Sequence, residues 1–135
     1  QQAGVVQMIV TGASAEGSKA ALRLAGEWPG QLFATAGVHP HRASDYDNDT
    51  DQLLRELAVQ NSVVAVGETG LDYFRDFSPR EAQRSSFEKQ IQIANFVETK
   101  EKEKYDFNDV NFWIGKIDES GKTSSGETTT KPYVV

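Results

Sequence analysis

Three short apolar runs punctuate the chain up to residue 97: VVQMIV (5–10), LFATAGV (32–38) and VVAVG (63–67). Each is continuously apolar rather than alternating, the pattern of a strand covered on both faces. Between and after them apolar residues recur at helical spacing, and the alternation predicts βα units around a parallel sheet. The runs are therefore expected to be neighbouring parallel strands, with helices near 14–27, 50–60 and 79–97.

The helix starts can be argued from local chemistry. Ser14 can cap a helix running towards Trp28, with Ala21, Leu22, Leu24 and Ala25 as its apolar face, before Pro29-Gly30 ends it. Thr50 can cap a second, in which Leu53, Leu54, Leu57 and Ala58 share a side. In Ser78-Pro79-Arg80-Glu81 the serine can cap, proline suits the first helical position and Glu81 completes a capping box; Phe87, Ile91 and Ala94 then follow at helical spacing.

Beyond residue 97 the βα rhythm stops. ETKEKEKYDFND (98–109) alternates charges and reads as a charged helix tail or a linker. VNFWIGKI (110–117) and TTTKPYVV (128–135) read as strands of a β-hairpin around the polar loop 119–127, antiparallel to each other and docked on an edge of the parallel sheet. Phe112, Trp113, Ile114, Tyr133 and Val134 supply the surface that needs this burial. The expected organisation is one compact domain: a βα segment over 1–97, the charged stretch 98–109 and a hairpin over 110–135. At 135 residues the chain is too short for a closed eight-stranded barrel of about 250 residues, so the fold class is α/β with a partial, barrel-like parallel sheet of three βα units.

A net charge of −6 and a pI near 4.9 argue against a broad electrostatic grip on nucleic acid and confine any such contact to a local patch. The absence of cysteine excludes disulfides and thiolate metal sites. No apolar stretch approaches the roughly 20 residues needed to cross a bilayer, and the opening QQAGVVQMIV lacks a basic segment and a cleavage site, so a soluble, cytoplasmic protein is expected. Gly121-Lys122-Thr123 looks like the end of a phosphate-binding loop, but five residues rather than four separate Gly115 from Gly121 and no helix former follows; nucleotide binding there is rejected.

Two stretches carry candidate chemistry. GVHPH (37–41) holds both histidines of the chain, and GETGLDYFRD (67–76) places Glu68 directly after an apolar run. Glutamate at the carboxyl end of a buried strand lies where α/β folds build their sites, and its oxygens can hold a divalent cation, with Asp72 and Asp76 following at useful spacing. The same acids can instead cap the loop into the Ser78 helix, the reading that spacing alone favours. His39 also follows a predicted strand, so Glu68 and His39 are expected near each other at the carboxyl ends of adjacent strands; His39 with His41 can bind metal, contact phosphate or shuttle a proton, and a surface turn holding two histidines is an equal reading.

Together, TGASAEGSKAALRLA, ATAGVHPHRASD, VVAVGETGLDYFRDFSP and FEKQIQIA resemble successive segments of the TatD family of metal-dependent deoxyribonucleases, over about residues 1–94. The resemblance implies a (β/α) barrel relative, a divalent metal (Mg²⁺, Mn²⁺ or Zn²⁺), DNA as a partner and phosphodiester hydrolysis. It implies Glu68 as a metal ligand, His39 and Asp72 as catalytic residues, and His41 and Arg75 as substrate contacts. The pattern is also incomplete, because the family carries a His-x-His pair on its first strand, further histidines on later strands and a late aspartate, whereas both histidines here belong to GVHPH. The expectation is weak or absent DNA hydrolysis by the isolated chain, the other possibility being a non-catalytic truncated or chimeric α/β module. Exposed sheet edges would also allow homo-oligomers.

Overall fold

The computed structural model describes residues 4–104 together with the short strand Tyr133–Val134. Strand β1 (Met8–Val10), helix α1 (Ala15–Glu27), strand β2 (Leu32–Ala36), a 3₁₀ helix (Pro40–Asp45), helix α2 (Asn48–Ala58), strand β3 (Val63–Val66) and helix α3 (Arg80–Lys104) follow one another, and Tyr133–Val134 forms β4. The sheet order is β1-β2-β3-β4 and every pairing is parallel, with Met8 opposite Leu32, Ala36 opposite Val66, and Val66 opposite Val134. The expected open α/β sheet of parallel strands and alternating helices is present. The strand expected over 110–117, the loop 119–127 and most of the strand expected over 128–135 lie outside the described residues.

The helices form a contiguous layer, α1 against α2 and α2 against α3, and all three touch the sheet. Ala21 and Ala25, Leu54 and Leu57, and Ile93 and Val97 meet Ala34, Ala36, Val63 and Val66 in one core. Leu54 and Ile93 are completely buried. Fully burying such a side chain contributes roughly 1.5–3 kcal/mol, so these two fix the helix layer more firmly than any surface pair.

Several local expectations are corrected. The run 5–10 was expected to be covered on both faces, yet only Met8–Val10 is strand, and Val6, Met8 and Ile9 are more than half exposed. β1 is an edge, with β2 as its only neighbour in the described sheet. Ser14 caps α1 as expected, its hydroxyl accepting from the Gly17 amide, but the stripe facing the sheet is Ser18, Ala21 and Ala25 while Leu24 points outward. The cap of α2 is Asp47, whose carboxylate accepts from the amide of Thr50, the residue expected to cap. On α3 the buried stripe is Gln83, Ser86, Gln90, Ile93 and Val97, which leaves Ile91 exposed and Phe87 half-buried. No described helix is long and apolar enough to cross a membrane.

Candidate active site

The carboxyl ends of β2 and β3 come unusually close. A Cβ on Gly37 would lie 2.4 Å from the carbonyl carbon of Gly67, so only glycine permits the approach that brings GVHPH beside GETG. The first stretch is then held from both sides by buried polar groups. Ser18 Oγ accepts from the Gly37 amide at 3.0 Å and donates to the Gly37 carbonyl at 3.2 Å. Gln90 does the same for the next residue: Oε1 accepts from the Val38 amide at 2.9 Å and Nε2 donates to the Val38 carbonyl at 3.0 Å. The His39 amide donates to the Ala13 carbonyl at 3.0 Å. Three consecutive residues are thus fixed by their backbones, which leaves the His39 side chain free to serve the site.

Pro40 opens the 3₁₀ helix and folds the chain so that the His41 amide donates to His39 Nδ1 at 3.1 Å. A neutral imidazole that accepts at Nδ1 carries its proton on Nε2. That Nε2 lies 3.4 Å from Glu68 Oε1. Glu68 itself is anchored by its amide, which donates to the Gly12 carbonyl at 2.6 Å. The neighbouring Thr69 hydroxyl is buried without a hydrogen-bond partner among the described residues.

A second pair sits alongside. His41 Nε2 is 2.6 Å from Asp72 Oδ2, and the two imidazoles meet edge to face with centroids 4.2 Å apart. Asp72 Oδ1 accepts from the Arg75 amide at 3.0 Å and Oδ2 from Arg75 Nη1 at 3.3 Å. The Arg75 amide and then the His41 ring hold the Asp72 carboxyl well below the usual carboxylate range. The Asp72 backbone is clamped by Gln83, whose Oε1 accepts from the Asp72 amide at 2.8 Å while Nε2 donates to the Ser78 carbonyl at 2.8 Å. Asp76, the remaining acid of the stretch, faces Arg80 Nε at 3.4 Å. Ser78, expected to cap α3, has its hydroxyl engaged elsewhere: it donates to the His41 carbonyl at 2.9 Å and accepts from the Ser44 amide at 3.2 Å.

The five residues given roles by the family resemblance gather at one end of the sheet, as a His39–Glu68 pair and a His41–Asp72–Arg75 cluster, while Asp76 pairs with Arg80. Sequence reasoning missed Ser18, Gln83 and Gln90, all at most 1% exposed. The available signal was their spacing: Gln83, Ser86 and Gln90 continue onto Ile93 and Val97, a helical stripe that is polar where it meets the site.

The acid limb of stability should carry this geometry. The folded-state depression of Asp72 means that its ionisation supports the fold fully above the unfolded carboxylate pKa of about 3.9. That support is lost only as pH falls through the lower, folded value. A carbon-13 NMR titration is expected to find the Asp72 carboxyl still ionised at the ordinary aspartate pKa of about 3.9; half-protonation there would contradict the arrangement.

A family model described as TatD related DNase matches residues 1–99. The chain belongs to the TatD family. It is 45% identical over 94 residues to the 3'-5' ssDNA/RNA exonuclease TatD of Yersinia pseudotuberculosis, a match covering 70% of this chain and 36% of that protein. It is 47% identical over 95 residues to the enzyme of the same name from a Pantoea species, with the same coverage. Among solved structures, a TatD homologue of Escherichia coli K12 superposes with a TM-score of 0.62 at 32% identity, covering 72% of this chain and 38% of the other. The chain thus spans a little over a third of its TatD relatives' length.

Among the described residues no group of three or more His, Asp or Glu side chains is assembled that could hold a metal ion. A catalytic zinc ion normally has three protein ligands and keeps one position open, whereas Mg²⁺ is usually held by one or two carboxylates with substrate phosphates and water. The His39–Glu68 pair offers two donors, one short of a zinc site.

Proposed function

We propose that this chain carries one side of a TatD-type phosphodiesterase site that acts on single-stranded nucleic acid. The observation that carries the reading is the pairing of His39 Nε2 with Glu68 Oε1 at 3.4 Å, at the carboxyl ends of adjacent parallel strands. Glu68 is the residue suited to a divalent cation, because its carboxylate is half exposed and its backbone is pinned. The resemblance to metal-dependent TatD nucleases leaves Mg²⁺, Mn²⁺ and Zn²⁺ as candidates.

The chain's own groups have definable tasks. His39 holds a proton on Nε2, next to Glu68, where a phosphate oxygen can accept it in a charge-assisted hydrogen bond. Arg75 is largely exposed and can pair with a second phosphate oxygen. Asp72 acts through its neighbours: it orients the His41 ring and fixes the Arg75 backbone, so it is best tested as a positioning residue.

With so few donors, cation affinity and acidification of a bound water should both be poor. The 135-residue chain by itself is therefore expected to cleave single-stranded DNA at or near background, and calorimetry should find weak binding of all three cations. Metal-dependent cleavage that survives rigorous purification and disappears in Glu68→Ala would overturn the expected inactivity and show that the activity depends on Glu68.

A further inference from the structure

The loop that follows Glu68 displays aromatic rings to solvent. Phe74 is 95% exposed, Phe77 71% and Tyr73 38%. The turn that carries them is firmly built: Gln83 clamps the Asp72 peptide, the Asp72 carboxylate takes the Arg75 amide, and the Asp76 amide donates to the Asp72 carbonyl at 3.1 Å. The rings are therefore presented on a pinned support.

Their position ties them to the site. The Phe77 ring meets His41 edge to face at 4.7 Å between centroids, which sets it at the rim of the His41–Asp72 cluster. On the other side the Arg80 guanidinium lies over the Tyr73 ring, 4.8 Å from its centroid. Tyr73 and Arg80, with Arg84 and Glu88, line an open cleft of about 690 Å³. The guanidinium-bearing side chains of Arg75 and Arg80 are both about 60% exposed.

Aromatic rings interleaved with arginines can hold a single strand. Unpaired bases stack on exposed rings irrespective of sequence, while arginines meet the phosphates between them. The place of the rings favours a nucleic-acid strand over a protein partner, because Phe77 touches His41 at the rim of the site proposed to act on such a strand. The chain's net charge of −6 gives no long-range attraction for nucleic acid, so a strand bound here must be held by local contacts of this kind.

We propose that Phe74, Phe77 and Tyr73, with Arg75 and Arg80, form a stacking platform for single-stranded nucleic acid that leads into the His39–Glu68 site. The proposal rests on the TatD-type reading above and specifies how the strand approaches. Because Asp76 and Glu81 stand among the arginines, few phosphates are neutralised. With two contacts and about 0.7 per phosphate on a single strand, the slope of log K against log salt should be only about −1.4.

The test is fluorescence anisotropy on the 135-residue chain in the presence of EDTA, so that cleavage cannot mimic release. It compares a labelled oligothymidylate with an abasic strand of equal length. The wild type is expected to prefer oligothymidylate, and Phe74→Ala/Phe77→Ala to weaken that binding roughly 5- to 100-fold, the worth of one or more stacked bases, with abasic binding unchanged. Phe74→Tyr/Phe77→Tyr should restore it, and circular dichroism should match throughout because both side chains are solvent-facing. Equal oligothymidylate affinity in the wild type and the double alanine variant would overturn the platform while leaving the TatD-type reading intact. The same holds if the double variant alters only the self-association of the chain in sedimentation. No binding of either strand by the wild type at low salt would overturn the platform and count against the nucleic-acid reading itself.

Discussion

Gly37→Ala is expected to lower stability by about 3 kcal/mol or more, at the upper end of what overpacking produces. The new methyl would lie 2.4, 2.5 and 2.7 Å from the carbonyl carbon, Cα and carbonyl oxygen of Gly67, all of them backbone atoms that no rotamer change can move aside. The ends of β2 and β3 would have to part. That strains the Gly67 amide's bond to the Ala36 carbonyl at 2.9 Å and both Ser18 bonds to Gly37. A domain's total stability is only about 5–15 kcal/mol, so the change removes a large share of it. The same displacement would carry Glu68 away from His39, and NMR shifts of the His39 ring should move with the loss. Gly26→Ala is the matched control. Gly26 lies in the last turn of α1, a Cβ there meets nothing within 4 Å, and alanine should raise stability by a fraction of the helix-interior gain of about 1 kcal/mol. Urea midpoints that place Gly37→Ala beside Gly26→Ala would refute the close approach.

The strands, the helices and the two chemical stretches were legible in the sequence because each is a local property. Continuous apolarity marked 32–38 and 63–67, and a serine before a small-residue helix marked the start of α1. What failed depended on neighbours distant in the chain. The run 5–10 has the same composition as the buried strands, and only its place at the edge leaves Val6, Met8 and Ile9 exposed. Asp47 and Thr50 are both competent caps within one turn, and the backbone, extended at Asp47, decides between them. GVHPH and GETGLDYFRD each follow a strand of neighbouring βα units, so the meeting of His39 and Glu68 was legible, but not that His41 would meet Asp72, a pairing across 31 residues fixed by the turn at Pro40. The inward stripe of α3 was hidden for a chemical reason. Glutamine is usually a surface residue, and Gln83 and Gln90 are buried because the loops they support present unpaired backbone groups.

That dependence makes Gln90→Leu the second large effect. Leucine fills much of the space but can neither accept from the Val38 amide nor donate to the Val38 carbonyl, and Val38 is only 3% exposed, so water cannot easily replace the lost partner. Each orphaned buried group costs roughly 1–3 kcal/mol, so a loss of about 3 kcal/mol is expected after some return from the added apolar contact. Gln90→Glu separates hydrogen bonding from packing. The ionised carboxylate keeps the acceptor for the Val38 amide but turns an oxygen towards the carbonyls of Val38 and Ser86. Burial and that opposition raise its folded-state pKa above the unfolded value of about 4.3. The neutral acid, which can donate, is the form the fold accepts, so this variant should regain stability relative to wild type as pH falls through the raised folded value and approach its best below the unfolded one. Gln90→Leu should show no such recovery. Amide exchange supplies the local reading: the Val38 N–H should exchange faster in the leucine variant by more than the global loss of stability accounts for. A wild-type urea midpoint with unchanged Val38 protection in Gln90→Leu would mean that GVHPH is held by its own turn and not by α3.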